Sequence, residues 1–127
     1  VPLSPDKVAA RELNRTLALA HELGHLLGAP VVEALSLSEP ISKRRMRNAG
    51  ATATAFEQVY RDLLRIDDTI SSGTRVLLVD DVCDHGSTLR CCTDTLQGAV
   101  SDLAVTAGAA GQMIIKEAVR STTRIVA

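Results

Sequence analysis

The chain is predicted to fold as an α/β domain, a parallel β-sheet flanked by helices. Two observations carry that expectation. RVLLVDDV (75–82) holds a continuous apolar run, VLLV, where a half-exposed strand would alternate, so its strand is covered on both faces. Helical and strand-like stretches also alternate along the chain, as parallel pairing requires when each crossover needs a connecting element. With 127 residues, 46% of them hydrophobic, the sequence is long enough for one proper core, and it reads as a single domain over 1–127.

The elements follow in order. VPLSPDK reads as the end of a strand entering a turn, with Ser4 as N-cap, Pro5 at the first helical position and Asp6 in the first turn. From there Leu13, Leu17, Ala20, Leu23 and Leu27 recur at three- and four-residue steps, predicting one amphipathic helix to Leu27, closed by Gly28 and stopped by Pro30. VVEALSLS (31–38) reads as a strand. The next segment, 39–55, holds Pro40, Gly50, many small residues and the cations Lys43, Arg44, Arg45 and Arg47. It reads as a mobile surface loop, followed by a short helix over 56–64. After the turn signal at 71–73 come the strand 75–82, a glycine-containing turn, a helix to about Leu96 and a strand at 102–108.

Composition narrows the function classes. A net charge of -1 argues against a general nucleic-acid or membrane binder. No apolar run approaches the ~20 residues of a membrane span, and no signal peptide is visible. Three cysteines, Cys83, Cys91 and Cys92, are an odd set with two adjacent, which suits a reducing cytoplasm better than a disulfide framework. The chain begins with Val1, as a processed or excised segment would.

HELGH (21–25) has the spacing of a zinc peptidase helix, with His21 and His25 on one face and Glu22 to activate water. A third ligand is wanting: the position where metzincins carry one is Val31, and His85 lies far along the chain. The favoured reading puts His21, Glu22 and His25 on the polar side of an ordinary helix whose Leu23, Leu26 and Leu27 do the packing.

The stronger signal is RVLLVDDVCDHGSTL (75–89). A buried strand ends in Asp80 and Asp81, a tight turn passes through Gly86, and a helix begins. Successive backbone N–H groups and a helix N-terminus form a concave anion site there, and Ser87 and Thr88 add hydroxyl donors. Twin carboxylates at the strand's carboxyl end accept hydrogen bonds from a vicinal diol or hold Mg²⁺. Open parallel sheets bind ligands at this edge. A phosphorylated sugar satisfies all of these groups together.

This stretch resembles the signature with which type I phosphoribosyltransferases bind 5-phosphoribosyl 1-pyrophosphate (PRPP): apolar strand, two acids, two further residues, then a phosphate loop ending Gly-x-Thr. More loosely, VPLSPDKVAARELN is similar to the first-strand loop and helix of the ComF-like branch, and 41–54 stands where the family has its flexible catalytic loop. The resemblance implies a Rossmann-like phosphoribosyltransferase fold, lacking part of the first strand and the hood. It implies that Asp80 and Asp81 bind the ribose hydroxyls and Mg²⁺, and that residues 84–88, with His85, Gly86, Ser87 and Thr88, cradle the 5′-phosphate. Asp84 stands where the purine enzymes keep a proton acceptor. Lys43 and Arg44, with Arg45 and Arg47, would neutralise the departing pyrophosphate, and Lys7 would assist from the first-strand turn. Two departures stand out: His85 replaces a small Ser or Thr, and TAGAAGQM lacks the lysine that reads a purine.

The expected activity is transfer of a phosphoribosyl group from PRPP to a nitrogenous base, with a purine as one candidate acceptor and Mg²⁺ as cofactor. The expected setting is a cytoplasmic homo-oligomer or part of a larger assembly, with small-molecule substrates and neither nucleic acid nor membrane as partner. The alternatives are a regulatory module that binds PRPP or a nucleotide without turnover and, more remotely, the zinc peptidase.

Overall fold

A computed structural model describes residues 1–10, 13–67, 70–81, 83, 85–102, 104–109 and 123–126. Its elements are α1 (Pro5–Ala9), α2 (Arg15–Leu27), β1 (Val31–Val32), β2 (Leu35–Leu37), α3 (Lys43–Asn48), α4 (Ala53–Leu63), β3 (Leu64–Ile66), β4 (Arg75–Asp80), α5 (Ser87–Ala99), β5 (Ala104–Ala109) and β6 (Thr123–Val126). This is a mixed α/β fold. Four strands form a sheet in the order β1-β6-β4-β5 with every pairing parallel, and β2 and β3 make a separate antiparallel pair.

β4 lies inside that sheet, and its apolar run is used on both faces, as expected. Val76 and Leu78 join a cluster with Phe56 and Tyr60 of α4 and Leu89, Cys92 and Leu96 of α5. Leu77 and Val79 point the other way, onto Ala20 and Leu23 of α2 and Ile125 of β6. Alternation along one strand therefore serves two helical layers, and each fully buried Leu or Val contributes on the order of 1.5–3 kcal/mol.

Several sequence expectations need correction. The single helix to Leu27 is two: α1 ends at Ala9, and α2 starts afresh at Arg15, where the Asn14 side chain accepts a hydrogen bond from the Leu17 N–H at 3.0 Å. This local cap supplies a start signal that the apolar spacing concealed. Leu13 is consequently 76% exposed, and Leu26, assigned to packing, is 75% exposed. The strand at 31–38 is divided between two sheets, because Val31–Val32 pairs with β6 while Leu35–Leu37 pairs with β3. The supposed loop at 39–55 contains α3 and the start of α4. Ser42 accepts from the Arg45 N–H at 3.3 Å and Thr52 from the Ala55 N–H at 3.1 Å, so each helix begins on a hydroxyl cap. β3 and β6 were not anticipated. Of the expected strand at 75–82, Val82 lies outside the described residues.

HELGH sits within α2. His21, Glu22 and His25 are exposed, while Leu23 and Gly24 face the interior. Gly24 has a packing reason: a Cβ there would stand 2.7 Å from Val31 Cγ2 and 2.8 Å from the Ala29 carbonyl oxygen. Gly24→Ala is therefore expected to destabilise the fold by about 1–3 kcal/mol through overpacking, whereas His21→Ala changes stability by less than about 0.5 kcal/mol. Denaturant midpoints of the two variants check this. Equal effects would remove the packing explanation.

Candidate functional site

The carboxyl end of β4 carries the twin acids, and three elements converge on it. Asp80 is 8% exposed and accepts a hydrogen bond at Oδ1 from the Asp81 N–H at 2.9 Å. From the first turn of α2, the buried Thr16 hydroxyl lies 3.4 Å from Oδ1 of both Asp80 and Asp81. One hydroxyl thus gathers both carboxylates to one spot. Removal from water raises the Asp80 carboxyl to about 6, with the neighbouring Asp81 charge adding to the rise, so Asp80 holds its proton far more readily than an ordinary aspartate.

Asp80 and Asp81 floor a cavity of about 500 Å³. Its wall is cationic, with Lys7 contributed by α1 and Lys43, Arg44 and Arg45 by α3. A second cavity of about 430 Å³ shares Leu3, Lys7, Thr16 and Asp81 with the first and extends to Arg15. The fold therefore brings Lys7, Lys43, Arg44, Asp80 and Asp81 together, although 73 positions of sequence separate Lys7 from Asp80. Arg47 does not line the cavity.

Beyond the strand, Gly86 adopts a left-handed conformation (φ 70°) and forms the N-cap of α5. A side chain at this φ is strained, and glycine brings none to occupy the helix's first N–H groups. Ser87, 3% exposed, and the half-buried Thr88 begin the helix. The turn is held from outside. Arg90 donates to the His85 carbonyl oxygen at 3.3 Å and to Glu57 Oε1 at 3.0 Å, linking the turn, α5 and α4. The Lys43 ammonium donates to Ser87 Oγ at 3.4 Å and stands 5.8 Å from the centroid of the Phe56 ring. Asp84, expected near the base, lies outside the described residues.

Sequence reasoning missed Thr16, for which a lone threonine among helix-forming residues offers no signal. The cysteines behave as packing residues. Burial raises the Cys91 thiol and pushes Cys92 up to about 11, so both stay neutral near pH 7. Among the described residues, no group of three or more His, Cys, Asp or Glu side chains is arranged to hold a metal ion. His21 and His25 thus lack a converging third ligand there. No helix among the described residues is long and apolar enough to cross a membrane.

No family model, curated protein or solved structure matches the chain.

Proposed function

We propose that the chain is a phosphoribosyltransferase-type domain with a Rossmann-like fold, which binds PRPP and transfers its phosphoribosyl group to a nitrogenous base. The observation supporting this reading most directly is a cavity shared by two acids at a parallel-strand end and cations from α1 and α3. Gly86, Ser87 and Thr88 do not line it, but Lys43 of its wall reaches Ser87 at the glycine-capped start of α5. A diol, a pyrophosphate and a terminal phosphate need those three kinds of group in one place.

In this reading Asp80 and Asp81 accept hydrogen bonds from the ribose 2′- and 3′-hydroxyls. The turn from His85 to Thr88 receives the 5′-phosphate on backbone N–H groups and hydroxyls. Asp80 and Asp81 also suit Mg²⁺, since their oxygens are hard donors that Thr16 holds side by side, and the bound ion would neutralise phosphate charge. The C1–O bond breaks with its electron pair leaving on pyrophosphate, a C1–N bond forms to the base, and the base nitrogen loses its proton. Lys7, Arg44 and Arg45 lower the barrier by holding the charge that develops on the leaving group. Asp84 is assigned the departing proton by the resemblance alone.

A second reading, a PRPP or nucleotide sensor without turnover, is favoured by one observation. The chain has one Phe, one Tyr and no Trp, and both aromatic rings are buried in the core, with Phe56 5% and Tyr60 3% exposed. Neither ring is free to stack on a base. Pyrophosphate release from PRPP, measured across a panel of purine and pyrimidine bases with Mg²⁺, separates the readings. The enzyme reading expects release with at least one base. Binding without release for every base leaves the sensor, and an absence of PRPP binding removes both.

A further inference from the structure

Lys43 and Arg44 are neighbours in sequence, and a flexible basic loop would commit both to the pyrophosphate. They sit instead at the start of a helix, and the Lys43 ammonium reaches α5. We infer that Lys43 is a ligand of the 5′-phosphate, so that α3 recognises both charged ends of the substrate. The inference rests on the PRPP reading and assigns this residue to a different group of the same molecule.

The geometry carries it in three steps. Lys43 Nζ donates to Ser87 Oγ at 3.4 Å, which places the cation at the first residue of α5, beside the N–H groups that would meet a phosphate. By accepting from Lys43, the Ser87 oxygen leaves its own proton to donate, so a phosphate oxygen lodged there meets an ammonium and a hydroxyl together. The Phe56 ring, buried in the core and 5.8 Å from Nζ, provides a fixed aromatic surface against which the ammonium rests. A flexible lysine held between a buried hydroxyl and a buried ring loses less freedom on meeting its anion. Lys43, Arg44 and Arg45 all line the cavity of Asp80 and Asp81, and Lys43 also reaches Ser87.

Separate titrations of the whole chain with ribose 5-phosphate and inorganic pyrophosphate, each with Mg²⁺, divide the two ends. Lys43→Met is expected to weaken ribose 5-phosphate about tenfold, with pyrophosphate changed less than about twofold. Lys43→Arg, keeping the charge, should recover most of the loss. Arg44→Met is expected to show the reverse preference. Circular dichroism melts verify that each variant is folded. If Lys43→Met weakens pyrophosphate as much as ribose 5-phosphate, or pyrophosphate alone, the assignment is overturned. If the unaltered chain binds neither ligand, the PRPP reading fails first, and that outcome is distinct from a failure of Lys43.

Discussion

Replacing both acids, Asp80→Asn with Asp81→Asn, is expected to weaken PRPP binding at least about 100-fold and to abolish its dependence on Mg²⁺. Each carboxylate contributes charge-assisted hydrogen bonds of about 1.5–3 kcal/mol, and losing charge at both removes the donor set suited to a hard cation. The carboxamides have nearly the same shape. They also retain an oxygen for the Asp81 N–H and the Thr16 hydroxyl, so the turn is expected to keep its form. Calorimetric titration with and without Mg²⁺ measures this directly. Retained magnesium-dependent binding would mean that the ligand sits elsewhere, and the proposed function would fall with its floor.

The second large effect is one of stability and has the opposite sign to the binding loss. Asp80 is raised from 3.8 to about 6, chiefly by burial. For an acid whose folded pKa lies above its unfolded one, the folded state favours the protonated form. The resulting stability is fully present below pH 3.8 and is lost as pH climbs through about 6. Near pH 8 the buried charge therefore costs on the order of 2 kcal/mol, allowing for screening by water in the open cavity. Asp80→Asn carries no charge to desolvate. It should be the more stable protein by about that amount at pH 8 and show little advantage at pH 4. Denaturant unfolding of both proteins at the two pH values provides the check. A variant no more stable at pH 8 would show that the Asp80 carboxylate is not a liability. The expected pair of outcomes, better stability with lost binding, is what a strained functional group produces.

The two expectations interact. A divalent cation or a sugar diol at the twin acids favours the ionised form of Asp80, so ligand binding below about pH 6 should release a proton. Thr16 has a place in this balance because its hydroxyl meets both carboxylates. It holds the pair together without adding the positive charge that would lower the Asp80 pKa.

How much of this was legible depends on the distance over which each signal acts. The β4 run, the acids closing it, Gly86 and the start of α5 occupy consecutive positions, and backbone preference and burial act there over a few residues. The parallel sheet was legible for the same reason, since VLLV states its two-sided burial within a single strand. The caps at Asn14, Ser42 and Thr52 were also written locally. They were outweighed by an apolar spacing that crossed the break before α2 and by the polar, small-residue composition of 39–55.

The amino-acid order alone determined the class of fold and the place of the acid-and-glycine turn, because short-range sterics and hydrophobic pattern decide both. Only tertiary packing brought Thr16 against Asp80 and Asp81, assembled Lys7 and α3 into one cationic wall, and set the Lys43 ammonium against Ser87. Those contacts join residues 44 to 65 positions apart for the hydrogen bonds, and the cavity spans a comparable separation. At such distances the meeting of two side chains depends on how whole helices settle on the sheet, which no local pattern records.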